Sequence, residues 1–318
     1  MLTLVRSLSS KDYVVDTIVS AHNIRSNDAL SRARQIVPHI TTAIDYVDQA
    51  VNGPRDVAFL PIYYALLNLA KIYILLGPRH ADLQANRWHG AMYEGHAKNS
   101  HSLLTEEIRI RRGGALPLLY ETLTGTRIRS DIKLRMADVY PYVAGVGAEY
   151  QLASGRMAQM AELSLSSLST PTGRERPVVT ILPLQPRRIS RVEVKLLLSG
   201  FKIDHSTVGR FVGPLQPKGV STFSYLRSHI RPFLLYRVGG RYRTPLSTRK
   251  LLWPEELPII LAFFHLGSVA RYKPEFLAKL RDSRFWPMLL AAQQHSLFAF
   301  LNSFWSYAHQ QSLIITHE

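Results

Sequence analysis

The longest hydrophobic run in the sequence extends from Phe59 to Leu76, and its polar exceptions are Asn68 and Lys71. A helix that is apolar on nearly every side is either buried in a protein or spans a bilayer. The run is at the short end for a membrane span, and a lysine in mid-membrane costs about 3 kcal/mol. We therefore predict a buried central helix, which ends at Gly77-Pro78 because proline cannot continue it.

Amphipathic patterns on both sides of this run predict further helices. After the capping residues at Ser26, isoleucine and valine recur every three to four residues up to Val51, which is the spacing of one helix face. Pro38 lies inside this pattern, so the helix either starts there or kinks there. The other helices that we predict cover Lys11–His22, Leu116–Leu123, Met136–Gln151, Leu257–Tyr272, Pro274–Arg281 and Phe285 to about Leu313.

Extended segments are fewer and concentrate in the middle of the chain. Gly239-Gly240 separates two extended runs and predicts a two-residue hairpin turn. Residues 93–101 are predicted to form a loop, and the Ser/Thr-rich run 164–171 carries little structural signal. The strands that we predict cover 107–111, 178–184, 192–198 and the two hairpin arms, 233–238 and 241–244.

These patterns predict a mainly α protein with a smaller β-rich section, which is an α+β fold. We expect an N-terminal helical part over residues 1–153, a partly β-stranded middle section over 154–252 and a C-terminal helical part over 253–318. The two helical parts are expected to pack around the central helix and can form one compact unit.

Positive charge is the strongest signal in the composition. The chain has 39 lysines and arginines against 23 acidic residues, a net charge of +16. Between Leu163 and Pro254 there are 16 basic residues and three acidic ones, so this third of the chain alone has a net charge of +13. Such a field attracts nucleic acid or an acidic protein, although a solvated basic face is the simpler explanation.

Several classes of chemistry lack their sequence motifs. The chain has no cysteine, which excludes disulfides, thiolate zinc sites and a cysteine nucleophile. It also lacks the P-loop, dinucleotide-binding, HExxH and GxSxG motifs. The N-terminus does not resemble a signal peptide. We therefore expect a cytoplasmic protein that is not anchored in a membrane and uses no cofactor. A non-catalytic role is favoured over an enzymatic one, and the enzymatic alternative stays open.

One pair of residues offers a catalytic alternative. Arg34 and His39 are separated by four residues near the start of a predicted helix, which resembles the motif of HEPN-type ribonucleases. The histidine would transfer a proton and the arginine would stabilise the phosphate. Five positions along an unbroken helix turn through about 140°, so the two would act together only if Pro38 bends the helix. Without that bend they are an ordinary surface arginine and a helix-start histidine.

Polar residues on and near the central helix predict a pocket. Buried Asn68 and Lys71 each need a partner, and together with Tyr63, Tyr64 and His89 nearby they would form a ligand pocket. The alternative is structural, with a hydrogen-bonded Asn68 and a Lys71 that reaches solvent. The histidines that follow have no recognised metal-ligand spacing, so no metal site is predicted. These residues are His80, His89, His96 and His101, with Asp82 and Glu94.

The region from Phe223 to Lys250 interleaves basic and aromatic side chains, a combination that holds phosphates and stacks bases. On the hairpin, alternation is expected to bring Arg237, Arg241 and Arg243 to one surface. The alternative is that the aromatic side chains form the buried face of the hairpin. The nucleic-acid-binding candidates are Arg187, Arg188, Arg191, Arg227, Arg231, Tyr236, Arg237, Arg241, Tyr242, Arg243, Arg249 and Lys250.

The order of several segments is similar to that of a known family. The segments PIYYALLNLAKIYI, RWHG, EIRIRRGGALPLLYETLTG, FLLYRVGGRYRTPL and ELPIILAFFHLGSVARYKPEFLAKL resemble the YaaC-like family of bacterial proteins, over about Arg34 to Trp305. The resemblance implies a mainly helical, soluble bacterial protein. It implies no established activity and supplies no catalytic residues.

We expect a non-catalytic nucleic-acid-binding protein, or an accessory subunit that acts with a partner protein or as a homo-oligomer. The sequence does not distinguish DNA from RNA. A role in bacterial antiviral defence fits a protein of this kind. The alternatives are a metal-independent ribonuclease that uses Arg34 and His39, and a scaffold that docks an acidic protein.

Overall fold

The computed structural model describes residues 2–85, 88–95, 102–171, 173–183, 198, 201–203, 209–216, 236–238, 241–245 and 251–310, with the backbone alone at 2, 4, 165, 236–238 and 241–243. The chain folds into two compact units. The first combines Met1–Arg156 with Glu256–Glu318, and the second is Met157–Glu255.

Helices dominate the first unit, as predicted. The helices are α1 (Leu2–Ser7), α2 (Lys11–His22), α3 (Ser26–Asn52), α4 (Phe59–Leu76), α5 (Asp82–Ala85), α6 (Ala115–Thr124), α7 (Gly147–Ser154), α8 (Glu256–Tyr272), α9 (Pro274–Arg281) and α10 (Trp286–His309). α4 packs against α3, α6, α8 and α10. The α+β fold with a buried central helix is therefore confirmed.

The central helix α4 has the predicted bounds, Phe59–Leu76, and 14 of its 18 residues are buried. Among the described helices it is the one long and apolar enough to cross a membrane, and most of it is buried inside the protein. Protein side chains thus cover the apolar surface that the sequence places on all sides of this helix.

Helix α3 runs without interruption from Ser26 to Asn52, with Pro38 inside it. The helix therefore does not start at Pro38. Proline at this position cannot donate the hydrogen bond to the carbonyl four residues earlier, that of Arg34. The predicted stripe remains in place on both sides, because Ile36, Ile40 and Val47 are all buried.

The helix predicted over Met136–Gln151 is wrong. The chain forms two 3₁₀ turns, Met136–Asp138 and Tyr140–Tyr142, and then α7. Pro141 has no amide hydrogen to donate, and Gly145 has a φ of +74° at a position where a β-carbon would collide with His295. The apolar residues of this segment are buried by turns rather than by one helix.

A three-stranded antiparallel sheet completes the first unit. The strands are β1 (Ala91–Tyr93), β2 (Glu107–Ile110) and β3 (Ile132–Arg135), in the order β1-β2-β3. β2 was predicted. The loop predicted at 93–101 is wrong at its first residue, because Tyr93 pairs with Ile108. Three residues are too few to show an alternating pattern, and residues 96–101 lie outside the described part of the chain.

The second unit contains a six-stranded antiparallel sheet of order β6-β7-β5-β4-β9-β8. Its strands are β4 (Met160–Ser169), β5 (Glu175–Pro183), β6 (Lys202–Ile203), β7 (Arg210–Val212), β8 (Tyr236–Val238) and β9 (Arg241–Pro245). β5 and the β8–β9 hairpin confirm predicted strands. β4 includes most of the Ser/Thr-rich run, and the strand predicted at 192–198 lies outside the described residues except for Leu198.

Two glycines let the segment before β1 lie directly on the start of α6. The amide of Ala115 donates to the carbonyl of Trp88 at 2.8 Å, and the amide of Leu116 donates to that of His89 at 3.0 Å. Gly114 has φ +105° and ψ −178°, a conformation that only glycine adopts readily. A β-carbon on Gly114 would lie 2.5 Å from Cα of Gly90.

We expect Gly114→Ala to destabilise the helical unit by about 3 kcal/mol or more, because backbone strain and steric overlap add. The matched control is Gly125→Ala. Gly125 has a φ of +64° but nothing within 4 Å of a β-carbon, so it carries the backbone strain alone, about 1 kcal/mol. Urea unfolding followed by circular dichroism measures both. Equal losses in the two variants would contradict this account of the close contact.

Candidate functional site

The first cavity of the helical unit lies between α4, α8 and β1. Its volume is about 440 Å³, and we call it the aromatic pocket. The lining residues are Leu60, Tyr63, Tyr64, Trp88, His89, Gly90, Ala91, Met92, Tyr93, Phe264, Gly267, Ser268, Arg271 and Tyr272. Three of the five residues predicted to form a pocket, Tyr63, Tyr64 and His89, therefore line one cavity.

Tyr63 and His89 form the inner wall of this pocket. The Tyr63 hydroxyl is hydrogen bonded to Nδ1 of His89, and the two rings stack with their centroids 5.6 Å apart. Burial lowers the pKa of His89, and the charges of Lys71 and Arg271 lower it further. Burial raises the pKa of Tyr63. Both groups are therefore uncharged near neutral pH.

Tyr64 and Arg271 form the mouth of the pocket. Nη2 of Arg271 donates to the Tyr64 hydroxyl at 2.7 Å. The ring of Tyr64 also stacks on Tyr46, with the centroids 5.3 Å apart. The exposed guanidinium of Arg271 is thus held in place at the pocket entrance by a tyrosine that is itself fixed by stacking.

Asn68 and Lys71, the other two predicted pocket residues, are on the side of α4 next to α3. The Asn68 amide nitrogen donates to the carbonyl of Tyr64 at 2.8 Å, and its Oδ1 lies 2.8 Å from Nδ1 of His39. Lys71 is half-buried, and burial lowers its pKa. The structure gives Asn68 structural hydrogen bonds and keeps both residues out of the lining of the pocket.

Arg34 and His39 are not brought together. Arg34 is exposed, whereas His39 is half-buried against Asn68, and the two share no hydrogen bond or ion pair. Burial lowers the pKa of His39, an effect opposed by its hydrogen bond to Asn68. The arginine of α3 that does reach inward is Arg32, whose Nη1 donates to the carbonyl of Leu75 at 2.9 Å.

A second and larger cavity is lined by arginines and has a volume of about 1170 Å³; we call it the arginine cleft. Its lining residues are Trp88, Arg111, Arg112, Gly113, Arg127, Ile128, Arg129, Ser130 and Asp131. The antiparallel pairing of Ile110 with Ile132 brings the residues after β2 beside those before β3. Four arginines that are distant in sequence thereby line one cleft.

The arginine cleft carries a net positive charge. Nε of Arg111 lies 3.3 Å from Asp131, the only acid among the lining residues. Arg112, Arg127 and Arg129 are exposed, and none of them forms an ion pair with any residue that the structure describes. Four arginines and one aspartate give the lining a formal charge of +3. Unpaired guanidinium groups in an open cleft are suited to bind phosphate.

Trp88 lines both cavities. Its side chain is 49% exposed, and the guanidinium carbon of Arg111 lies 5.9 Å from the centroid of its ring. An exposed tryptophan beside arginines is a surface on which a planar ligand can stack.

Most of the predicted nucleic-acid-binding residues lie outside the described residues, and the structure describes the others by their backbone alone. In the hairpin, Tyr236 pairs with Arg243 and Val238 with Arg241. Paired residues share a face of the sheet and neighbours alternate, so Arg237 and Tyr242 are on the face opposite to Arg241 and Arg243. The single surface predicted for the three arginines is therefore wrong. Arg187, Arg188, Arg191, Arg227, Arg231, Arg249 and Lys250 lie outside the described residues.

The wall of the aromatic pocket at Tyr93 leads to a buried charge that the sequence did not indicate. The carboxylate belongs to Glu106, which is 0% exposed. It accepts a hydrogen bond from the Tyr93 hydroxyl. Nζ of Lys273 lies 3.3 Å from Oε1 of Glu106, and Nε2 of His265 lies 3.9 Å from Oε2 of Glu106. Burial alone would raise the pKa of Glu106. Polar contact with His265 and Tyr93 and the charge of Lys273 outweigh burial and lower the pKa to about 2.

Sequence reasoning missed the arginine cleft, Trp88 and this buried carboxylate. The local signals were the Arg111-Arg112 pair and the alternating Arg127 and Arg129. Neither is informative alone, because α6 separates them in the chain. Among the residues that the structure describes, no three His, Asp or Glu side chains are grouped to hold a metal ion. His96 and His101 lie outside that set.

We expect Lys273→Met to destabilise the protein by about 3 kcal/mol at pH 7, because it leaves the buried carboxylate of Glu106 without its cation. The depressed pKa of Glu106 contributes stability above about pH 4.5, which is lost as the pH falls towards 2. In the variant, Glu106 takes up a proton at higher pH, so the loss should shrink at about pH 3.5.

Urea unfolding at the two pH values tests this, with Lys279→Met as the control. Lys279 is an exposed lysine on α9, the helix that begins directly after Lys273. The control should change stability little at either pH. A loss in Lys273→Met that is the same at both pH values would contradict the proposed ion pair.

Comparison with known proteins gives one match, which is to a protein family. No curated protein and no solved structure matches the chain. The family described as YaaC-like Protein matches residues 5–308, nearly the whole chain, including both cavities of the helical unit. The chain therefore belongs to the YaaC-like family.

Proposed function

We propose that this protein binds nucleic acid, with the arginine cleft as a principal contact surface. The observation that carries the proposal is a set of three exposed arginines, Arg112, Arg127 and Arg129, that line an open cleft and whose guanidinium groups form no ion pair with any described acid. Phosphate backbones are bound by such groups, and each contact releases condensed counterions. The stacking surface of Trp88 beside the cleft supports nucleic acid over a simple anion.

The charge of the whole chain supports the same proposal. The net charge is +16, and the excess in residues 163–254 is separate in sequence from the arginine cleft. In the second unit, Arg241 and Arg243 share one face of the sheet by register, and Glu162 of β4 pairs with Arg243 on that face. We propose that this face is a second contact surface for the phosphate backbone.

We further propose that the protein is a non-catalytic accessory subunit, which acts in the bacterial cytoplasm with a partner protein or a second copy of itself. Antiviral defence is the process that we propose for it. A strongly basic protein also suits an acidic partner protein, so a scaffold that docks such a partner is the alternative. Nucleic-acid affinity separates these two functions.

We expect Arg127→Gln/Arg129→Gln to weaken binding to radiolabelled RNA and to radiolabelled DNA fragments of mixed sequence. The slope of log affinity against log salt should become shallower by about two, since each lost phosphate contact removes about one. Filter binding between about 50 and 200 mM salt measures the slope. The matched control is Lys11→Gln/Arg25→Gln, which removes two exposed positive charges from α2 and from the residue before α3.

An unchanged slope in the cleft variant, or an equal change in the control, would contradict the role of the arginine cleft. Failure of the wild-type protein to bind any nucleic acid, with an acidic protein co-purifying, would favour the scaffold. RNA cleavage without metal that is lost in His39→Ala would favour the ribonuclease alternative. The exposed position of Arg34, away from the contact between His39 and Asn68, gives that alternative no support.

A further inference from the structure

We infer that the arginine cleft and the aromatic pocket form one site for single-stranded nucleic acid, with phosphates on the arginines and one unpaired base inside the pocket. The inference rests on the proposed function and names its substrate class. It has its own physical basis, which is the continuity of the two cavities and the contrast between their linings.

The two cavities share a wall. Trp88 lines both of them, so a ligand that stacks on this ring lies next to both cavities. Arg111 of the cleft also reaches the pocket lining, because its Nη1 lies 3.8 Å from the sulfur of Met92. The cleft and the pocket are therefore separated by the width of one side chain, and a single nucleotide is long enough to reach from one to the other.

The chemistry of the two linings matches the two halves of a nucleotide. The cleft offers guanidinium groups, which recognise phosphate. The pocket lining offers two exposed aromatic rings, those of Trp88 and Tyr272, which are 49% and 65% exposed and can stack on any base. Tyr63 and His89 are uncharged near neutral pH, so the inner wall of the pocket places no charge against an uncharged base. A volume of about 440 Å³ accommodates a nucleoside.

The pocket selects against a duplex. In a paired helix the two faces of each base are covered by its neighbours and its edge is occupied by its partner, so a base can enter the pocket only if it flips out. A single strand avoids that cost. A free mononucleotide can fill the pocket but reaches few of the arginines, so it should bind more weakly than a strand.

Fluorescence anisotropy with four ligands tests this inference. They are a labelled single strand of about 12 nucleotides, its duplex, the same strand with abasic sites in place of its bases, and a 5′-mononucleotide as competitor. The abasic strand keeps the phosphates and removes the bases. We expect the single strand to bind roughly tenfold or more tighter than both the duplex and the abasic strand, as loss of one stacked base predicts.

Two pocket variants localise the effect. Trp88→Ala and Tyr272→Ala should each lower affinity for the intact strand roughly tenfold, and leave binding of the abasic strand and the salt slope nearly unchanged. Tyr272 is 65% exposed, so its truncation should not impair folding. The control is Tyr13→Ala, which removes another exposed tyrosine, on α2. Thermal unfolding verifies that all three variants fold.

The outcomes separate this inference from the proposed function. Equal, salt-sensitive affinity for the intact strand, the duplex and the abasic strand would overturn the base pocket and leave nucleic-acid binding in place. Competition by the mononucleotide as strong as that by the strand would overturn the single strand as the ligand. No binding to any of the four would overturn both proposals.

Discussion

Burial of α4 is the constraint on which the helical unit depends. A helix with apolar residues on every side has to be covered on every side, and α3, α6, α8 and α10 provide that cover. Each large apolar side chain that α4 buries contributes about 1.5–3 kcal/mol. Because neighbours surround the helix, any polar group on it must find a partner within the protein.

The site follows from those polar groups. Asn68 is satisfied by His39 and by a backbone carbonyl, and Tyr63 is satisfied by His89. The hydrogen bond of Tyr63 fixes the segment that contains Trp88, and the backbone of this segment also bonds to the start of α6. One short segment is thus held from both sides, and its exposed tryptophan separates the aromatic pocket from the arginine cleft.

Periodic elements could be predicted from the sequence, and tertiary juxtapositions could not. α4 and α8 were found as long apolar runs and α9 as an amphipathic one, and proline or glycine marks their ends. The helix predicted over Met136–Gln151 failed because apolar residues were taken as helical despite Pro141 and Gly145. β1 and most of β4 were missed, since a short strand and a serine-rich strand show too little alternation.

The same distinction applies to the candidate site. Tyr63, Tyr64 and His89 were predicted to form a pocket because polar residues next to a buried helix need partners. The arginine cleft was missed because Arg111 and Arg112 precede α6 while Arg127 and Arg129 follow it, and only the pairing of β2 with β3 joins them. Charge counted along the chain pointed instead to residues 163–254, which do not include this cleft.

Photocrosslinking tests the central claim, that one unpaired base occupies the aromatic pocket, most directly. A single strand with a photoreactive base would be irradiated in the complex, and the crosslinked peptides would be identified by mass spectrometry. Our account predicts crosslinks from the base to Trp88 and to the end of α8 at Tyr272. Crosslinks confined to residues outside the pocket, with none on either segment, would contradict it.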